Sequence, residues 1–259
     1  MTVRLETAHG LATISLARPS AHNALDVATK SAFLDAVAAA AKQPDVRAVL
    51  LTAEGKNFCV GQDLGEHVAA LEADPATAMD TVGEHYNPLI RALTSLTVPV
   101  VVAIPGACVG AGLGIALAGD IRVAGTRTTF STAFTGIALA SDSGLSYALV
   151  EALGSSRAAG LMLLGDRISA EQALDWGLVH RVVADDEVRT AATDLARQLA
   201  AGPTLAYRQV KSLIAASAAG LSDALDRELA AQQHLGRTAD HAAAVKAFLA
   251  KEKPAFTGS

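Results

Sequence analysis

The first half of the chain switches repeatedly between two hydrophobic periods. Residues 3–5 and 12–17 read as two short strands joined at His9-Gly10, and Arg18-Pro19 ends the second. Asn23-Ala24-Leu25-Asp26 then opens a helix, with Asp26 as candidate N-cap and Leu25, Phe33, Leu34 and Val37 on one face. Pro44 stops it. Residues 46–52 form an apolar run expected to be a buried strand, and residues 53–65 a glycine-punctuated loop. Residues 66–81 are polar, alanine-rich and weakly periodic, which suggests a mobile lid or a loosely held helix. A helix over 86–96 precedes a strand over 100–104 that runs into Pro105-Gly106. The small-residue run Gly110-Ala111-Gly112-Leu113-Gly114 enters an apolar helix at 115–118, and 120–124 is a strand again. Such alternation predicts an α/β core with parallel pairing. Beyond about residue 142 helix follows helix, at 143–153, 155–164 and 169–176. One strand-like interruption at 179–183 is followed by helices over 187–200, 205–216, 221–235 and 239–250.

Composition narrows the function more than the fold. The chain has 259 residues, half of them hydrophobic, enough for a sizeable core. The formal net charge is -5 and no basic block occurs, so neither nucleic acid nor an anionic membrane is expected as main partner. The two cysteines, Cys59 and Cys108, lie in apolar stretches without C-x-x-C spacing. They are expected to be free thiols in a reduced, cytoplasmic protein. The amino terminus lacks the apolar segment of a signal peptide. The longest apolar run, 98–117, is broken by Pro99, Pro105 and several glycines, so no membrane span is expected.

Several common site signatures are absent. The glycine run does not fit G-x-G-x-x-G, because residue 115 is Ile, and there is no G-x-x-x-x-G-K. Neither H-E-x-x-H nor paired Cys/His spacing occurs, so no metal site is expected. No G-x-S-x-G elbow anchors a serine nucleophile.

Two glycine-rich turns follow strands instead, at residues 57–64 and 105–114. Small residues there expose backbone N–H groups and let a ligand approach closely. Two such donors facing one point would make an oxyanion hole. The same glycines would equally serve tight strand-to-helix packing, and spacing alone leaves both readings open.

Phe58-Cys59-Val60-Gly61-Gln62-Asp63-Leu64 resembles the crotonase (enoyl-CoA hydratase/isomerase) signature F-[CS]-A-G-x-D-L. Arg18-Pro19 with Asn23-Ala24-Leu25 is similar to that family's RP…NAL segment. Gly110-Ala111-Gly112 before Ala118-Gly119-Asp120-Ile121 is similar to its GGG…CDI segment. Ser169-Ala170-Glu171-Gln172-Ala173 with Trp176-Gly177-Leu178-Val179, and the ending Phe248 to Lys251 with Pro254-Ala255-Phe256, continue the likeness in order. The resemblance implies an α/β fold, a ββα spiral core over 1–200 holding an acyl-CoA site. Residues 201–259 would be a helical region for assembly into homotrimers or dimers of trimers. Coenzyme A would arrive as part of the substrate, with no separate cofactor. By position, the backbone N–H groups of Gln62 and Ala111 would be the oxyanion donors, each worth about 3 kcal/mol at the transition state. Ala24, Phe58, Val60, Gly61, Asp63, Leu64, Gly110 and Phe134 would line the substrate. Arg18, Lys56 and, from a neighbouring subunit, Phe248 and Lys251 would contact coenzyme A.

The reaction depends on acid and base groups rather than on the fold. Family hydratases use two glutamates, and the corresponding positions are Gly114 and Phe134. Asp142, in Ser141-Asp142-Ser143-Gly144, reads from position alone as a helix cap. The resemblance assigns it the proton-transfer role of family isomerases, most like the enoyl-CoA and 1,2-epoxyphenylacetyl-CoA isomerase members. Apolar neighbours, Phe134, Ile137, Leu139 and Leu145, would raise its pKa. The alternatives are hydratase-like chemistry, covalent attack on an aryl thioester as in dehalogenase members (with His85 in the region), a dihydroxynaphthoyl-CoA synthase reaction, and a non-catalytic scaffold.

Overall fold

The computed structural model describes residues 1–216 and 238–259. Strands β1 (Val3–Ala8) and β2 (Leu11–Leu16) form an antiparallel hairpin. Its two loop residues, His9 and Gly10, both have positive φ, at 52° and 78°. That backbone matches the right-handed twist of the flanking strands. Helix α1 (Val27–Lys42) starts where Asp26 accepts the Thr29 N–H at 2.8 Å, as expected from sequence. Strands β3 (Ala48–Ala53), β4 (Val100–Ile104), β6 (Ile121–Gly125) and β9 (Arg181–Val183) then add in parallel. The sheet order is β1-β2-β3-β4-β6-β9.

Every residue of β3 and β4 is buried, because helices cover both faces. Alternate side chains go to opposite layers. Leu50, Val101, Ala103 and Val123 meet α7 (Val188–Ala200), which presents Val188, Ala192, Ala196 and Ala200. That four-residue spacing puts one methyl-sized stripe against the sheet and lets the helix sit close. Val49, Leu51, Val100, Val102 and Ile104 join the larger core with Phe33 and Val37 of α1 and with Leu89 and Leu93 of α3 (Asn87–Thr94).

A second sheet, β5-β7-β8, was not foreseen from sequence. Strands β5 (Ala107–Val109), β7 (Thr129–Ser131) and β8 (Ile168–Ser169) have three residues or fewer, too short for an alternation to register. Three helical expectations also shift. Helix α4 spans Ala111–Leu117, four residues earlier than expected, because its first bonds run from Leu113 and Gly114 to the Gly110 carbonyl. The segment read as a lid contains α2 (Leu64–Ala73), capped by Asp63, and leads into a wide helical turn at Val82–Tyr86. The two helices expected over 143–164 merge into α5 (Leu145–Leu164), kinked at Gly154 where φ is 76°.

Helices α6 (Ala170–Asp175), α8 (Thr204–Ala215) and α9 (Ala239–Ala250) complete the described chain. The helix expected at 221–235 lies outside the described residues. Lys211 of α8 donates to Asp120 Oδ2 at 2.6 Å and to the Val98 carbonyl at 3.1 Å. Arg47 donates to Thr204 Oγ1 at 2.8 Å and to the Phe256 carbonyl at 3.3 Å. These bonds tie the C-terminal segments to the residues that lead into the inner strands β3, β4 and β6. Among the described residues no helix is long and apolar enough to cross a membrane.

Cys59 and Cys108 face each other as bridge partners on adjacent segments, both fully buried and unbonded to each other. Burial pushes the Cys59 thiol up to about 12 and that of Cys108 well above its usual value. We therefore expect both thiols to resist a water-soluble aromatic disulfide reagent in the native protein and to react fully after denaturation. Rapid native labelling of either would contradict this packing.

Candidate active site

Two turns meet beside the larger core. Residues 58–63 run between two neighbouring segments. On one side Leu25 donates to the Gly61 carbonyl at 2.8 Å, and Asp63 donates to the Leu25 carbonyl at 3.2 Å. On the other, Phe58 donates to Ala107 at 3.1 Å and Val109 donates to Cys59 at 3.0 Å. Asn23 reinforces the arrangement by donating to the carbonyls of Glu54 and Asn57, both at 2.9 Å. Asn57 in turn accepts the Ala107 N–H at 2.9 Å.

Each turn contains a glycine at positive φ, Gly61 at 86° and Gly110 at 57°. Other residues rarely adopt that backbone. The next residue in each case, Gln62 and Ala111, has a backbone N–H with no hydrogen-bond acceptor among the described residues. A Cβ added to Gly61 would sit 3.4 Å from the Ala111 nitrogen, so the two turns are in direct apposition. Unpaired backbone donors are uncommon in folded proteins, and two side by side suit an external acceptor.

Both open into a cavity of about 550 Å³ that also receives Asp142. A side chamber of about 70 Å³ shares Gln62, Leu64, Phe134, Ile137 and Asp142, and adds Met79, Val82, Leu139 and Tyr86. The second chamber is mostly apolar, with Asp142 at its junction with the first.

Asp142 is not a helix cap. Helix α5 is preceded by Gly144, and no side chain caps it. The carboxylate accepts one bond, from Ser143 Oγ at 2.7 Å. Ser143 and Gly144 both have positive φ, at 53° and 67°; the cost falls on the serine, and the turn they form places the carboxyl on the cavity. Burial raises its pKa above the usual carboxylate value, and the Ser143 hydroxyl and the charge of Lys30 pull part of the way back. Gly114 lies beneath this turn. A Cβ there would meet the Ser143 carbonyl oxygen at 2.6 Å and Ser143 Cβ at 2.7 Å. No larger residue fits unless the Asp142 turn moves.

Of the residues selected from sequence, Ala24, Val60, Gly61, Gln62, Asp63, Leu64, Gly110, Ala111, Phe134 and Asp142 line the main cavity. Phe58 does not; it is a core residue 1% exposed. Arg18 is also outside the lining. Its guanidinium is held by Asp63 at 3.2 Å, Asp26 at 3.1 Å and the Ala24 carbonyl at 2.6 Å, so it braces the turn. Lys56 and Lys251 are exposed and away from the cavity lining. Helix α9 carries Phe248, whose side chain lies outside the described residues. His85 lines neither chamber and pairs with Thr81 Oγ1 at 3.2 Å.

The "Enoyl-CoA hydratase/isomerase" family profile matches residues 6–259. The chain belongs to that family. It is 37% identical over 254 residues to the 1,2-epoxyphenylacetyl-CoA isomerase of Escherichia coli, covering 96% of this chain and 95% of the relative. It is 39% identical over 262 residues to a Rhodobacter capsulatus protein named "Probable enoyl-CoA hydratase", covering 99% and 98%. A crystal structure of an enoyl-CoA hydratase/isomerase family protein from Mycobacterium abscessus superposes with a TM-score of 0.98 at 56% identity, covering 99% and 100%. The crotonase-type α/β fold expected from the sequence motifs is thereby established.

This family member carries one polar cluster that the motifs did not reveal. Lys30 is completely buried and bonds Gln62 Oε1 at 3.1 Å, Glu66 Oε1 at 2.8 Å and Thr81 Oγ1 at 2.6 Å. Burial acts to raise the Glu66 pKa, but bonds from Lys30, the Val27 N–H and Gln62 outweigh it and hold the carboxyl below its usual value. A signal existed, since Lys30 falls on the same helical face as Phe33 and Val37, where a lysine needs a buried partner.

Two outcomes follow for this crotonase-fold chain. Asp142 has its pKa raised by folding, so the folded state keeps a proton that the unfolded chain has lost. Its stabilising contribution is present below the ordinary value of 3.8 and is lost as pH rises through the folded pKa. Asp142→Asn should therefore be more stable than wild type to urea at pH 7, with the gap shrinking toward pH 4. Equal stability at both pH values would refute the assignment. Gly114→Ala should lose about 1–3 kcal/mol by overpacking against Ser143, read from the same titrations.

Proposed function

We propose that this acyl-CoA enzyme is an isomerase that shifts a double bond, or opens an epoxide, next to a thioester, with Asp142 as its single proton carrier. The observation that carries this reading is the pairing, in one cavity, of a carboxyl bonded only by Ser143 Oγ with two backbone donors unpartnered among the described residues. With a 3-enoyl-CoA, the Asp142 carboxylate takes a proton from C2. Electron density moves onto the thioester oxygen, which the Gln62 and Ala111 N–H groups stabilise. The same carboxyl returns the proton at C4, leaving a 2-enoyl-CoA. A carboxyl whose pKa burial has raised is a stronger base than an ordinary carboxylate, which suits a group that must take up and return a proton. Coenzyme A is part of the substrate, and no further cofactor enters the scheme.

Hydration is the rival that one relative's name brings. Family hydration uses two glutamates, and Gly114 and Phe134 stand in their place. The other carboxyl on the main cavity, Asp63, accepts from Arg18 and caps α2 through the Gly65 and Glu66 N–H groups. We further propose a cytoplasmic homotrimer or dimer of trimers, since Tyr147, Leu163 and Leu164 of α5 and Ile214 of α8 are exposed apolar groups that a second copy would cover.

The test is incubation with 3-enoyl-, 2-enoyl- and epoxyphenylacetyl-CoA in deuterated water. Isomerisation gives a moved double bond and deuterium exchange, whereas a 3-hydroxy product would establish hydration instead. Asp142→Asn should lower turnover about a thousandfold with acyl-CoA affinity nearly unchanged. Full activity in that variant removes Asp142 from the mechanism.

A further inference from the structure

We infer that Lys30, Glu66 and Tyr86 are positioning residues of the oxyanion hole, a partly buried clamp that helps to set the direction of the Gln62 N–H by gripping the Gln62 side chain. This rests on the proposed role of that N–H.

The two donors are anchored in different ways. Ala111 begins a helix whose first bonds close on Gly110, and Gly110 is itself held by its N–H bond to Ser131 at 3.0 Å. Gln62 follows Gly61, which has no side chain with which to fix its torsions. The bridge to Leu25 engages the Asp63 N–H and the Gly61 carbonyl, which shares a planar peptide with the Gln62 N–H, and leaves that N–H without an acceptor among the described residues.

The Gln62 carboxamide supplies a further anchor beyond that peptide, and both of its polar atoms are engaged. Its Oε1 accepts from Lys30 Nζ at 3.1 Å and from Tyr86 Oη at 2.6 Å, and its Nε2 donates to Glu66 Oε1 at 2.8 Å. Lys30 bonds Glu66 and Thr81 as well, so all three of its protons have acceptors, and its ammonium lies 5.2 Å from the Tyr86 ring centre. Glu66 Oε2 accepts the Val27 N–H at 2.6 Å, fastening the cluster to the start of α1. The clamp thus joins α1, α2 and the turn at Val82–Tyr86 to one side chain.

A buried charge is costly to place, and apolar replacement is often neutral or favourable for stability. Stability alone therefore gives little reason for a lysine on the Phe33–Val37 face. Directional control of a catalytic dipole does, because an oxyanion donor works only when aimed before the charge develops. Burial and nearby negative groups, Asp142 first among them, keep the Tyr86 hydroxyl protonated, so it remains a donor to Gln62.

The test uses 4-(dimethylamino)cinnamoyl-CoA, a conjugated thioester whose absorption moves to the red when its carbonyl is polarised. The full-length wild type should red-shift the bound probe. Lys30→Met should lose more than half of that shift at saturating probe and at least tenfold in kcat on 3-enoyl-CoA, with probe Kd within threefold. Tyr86→Phe should move the same way by less. A merely structural role would lower Tm and probe affinity while the bound fraction kept its full shift, and that result overturns the clamp. Should Lys30→Met fail to fold, an unchanged shift in both Tyr86→Phe and Gln62→Leu overturns it equally. Absence of any shift with wild type would instead refute the oxyanion hole on which the clamp depends.

Discussion

Two backbone N–H groups left without acceptors at adjoining turns are the constraint around which this structure is arranged. Each belongs to the residue after a positive-φ glycine, so neither turn tolerates ordinary side chains. Apposing them requires β5 alongside residues 58–63, which in turn requires the Asn23 and Asn57 amides to close the loops between the large sheet and the small one. The six-stranded sheet and its helices supply the rigid frame. The unpaired donors are a local cost to the fold, of the kind that recurs where a protein must bind a developing charge.

Electrostatics on the two sides of the site are of opposite sign. Asp142 is a carboxyl lifted in pKa by burial and presented on two consecutive left-handed residues. Lys30 is a buried ammonium with every proton bonded, and its charge reaches Asp142 and opposes the effect of burial. Burial thus raises the Asp142 pKa, and the Lys30 charge limits the rise.

Family membership and reaction type are decided at different levels. Relatives of similar identity to this chain carry the names of both an isomerase and a hydratase. Three positions in this chain bear on the reaction. Gly114 has no room for a carboxylate because the Asp142 turn occupies that space, and Phe134 contributes an apolar wall. The Asp142 carboxyl then stands on the cavity with Ser143 Oγ as its hydrogen-bond partner among the described residues, which is why a one-base proton transfer is the chemistry we favour.

The sequence by itself determined the parts that depend on local pattern or on contiguous motifs. The parallel α/β core, the hairpin at His9-Gly10, the Asp26 cap and the glycine turns were all legible, because each is encoded within a few residues of itself. The family could be read from motifs occurring in the right order along nearly the whole chain. Tertiary structure alone decided that Phe58 is core rather than lining, that Arg18 braces a turn, and that Asp142 is no helix cap. It also decided that Lys30, Gln62, Glu66 and Tyr86, spread over 57 positions, share one partly buried network. Such contacts join residues distant along the chain, and local periodicity carries no record of which side chains the sheet order will bring together.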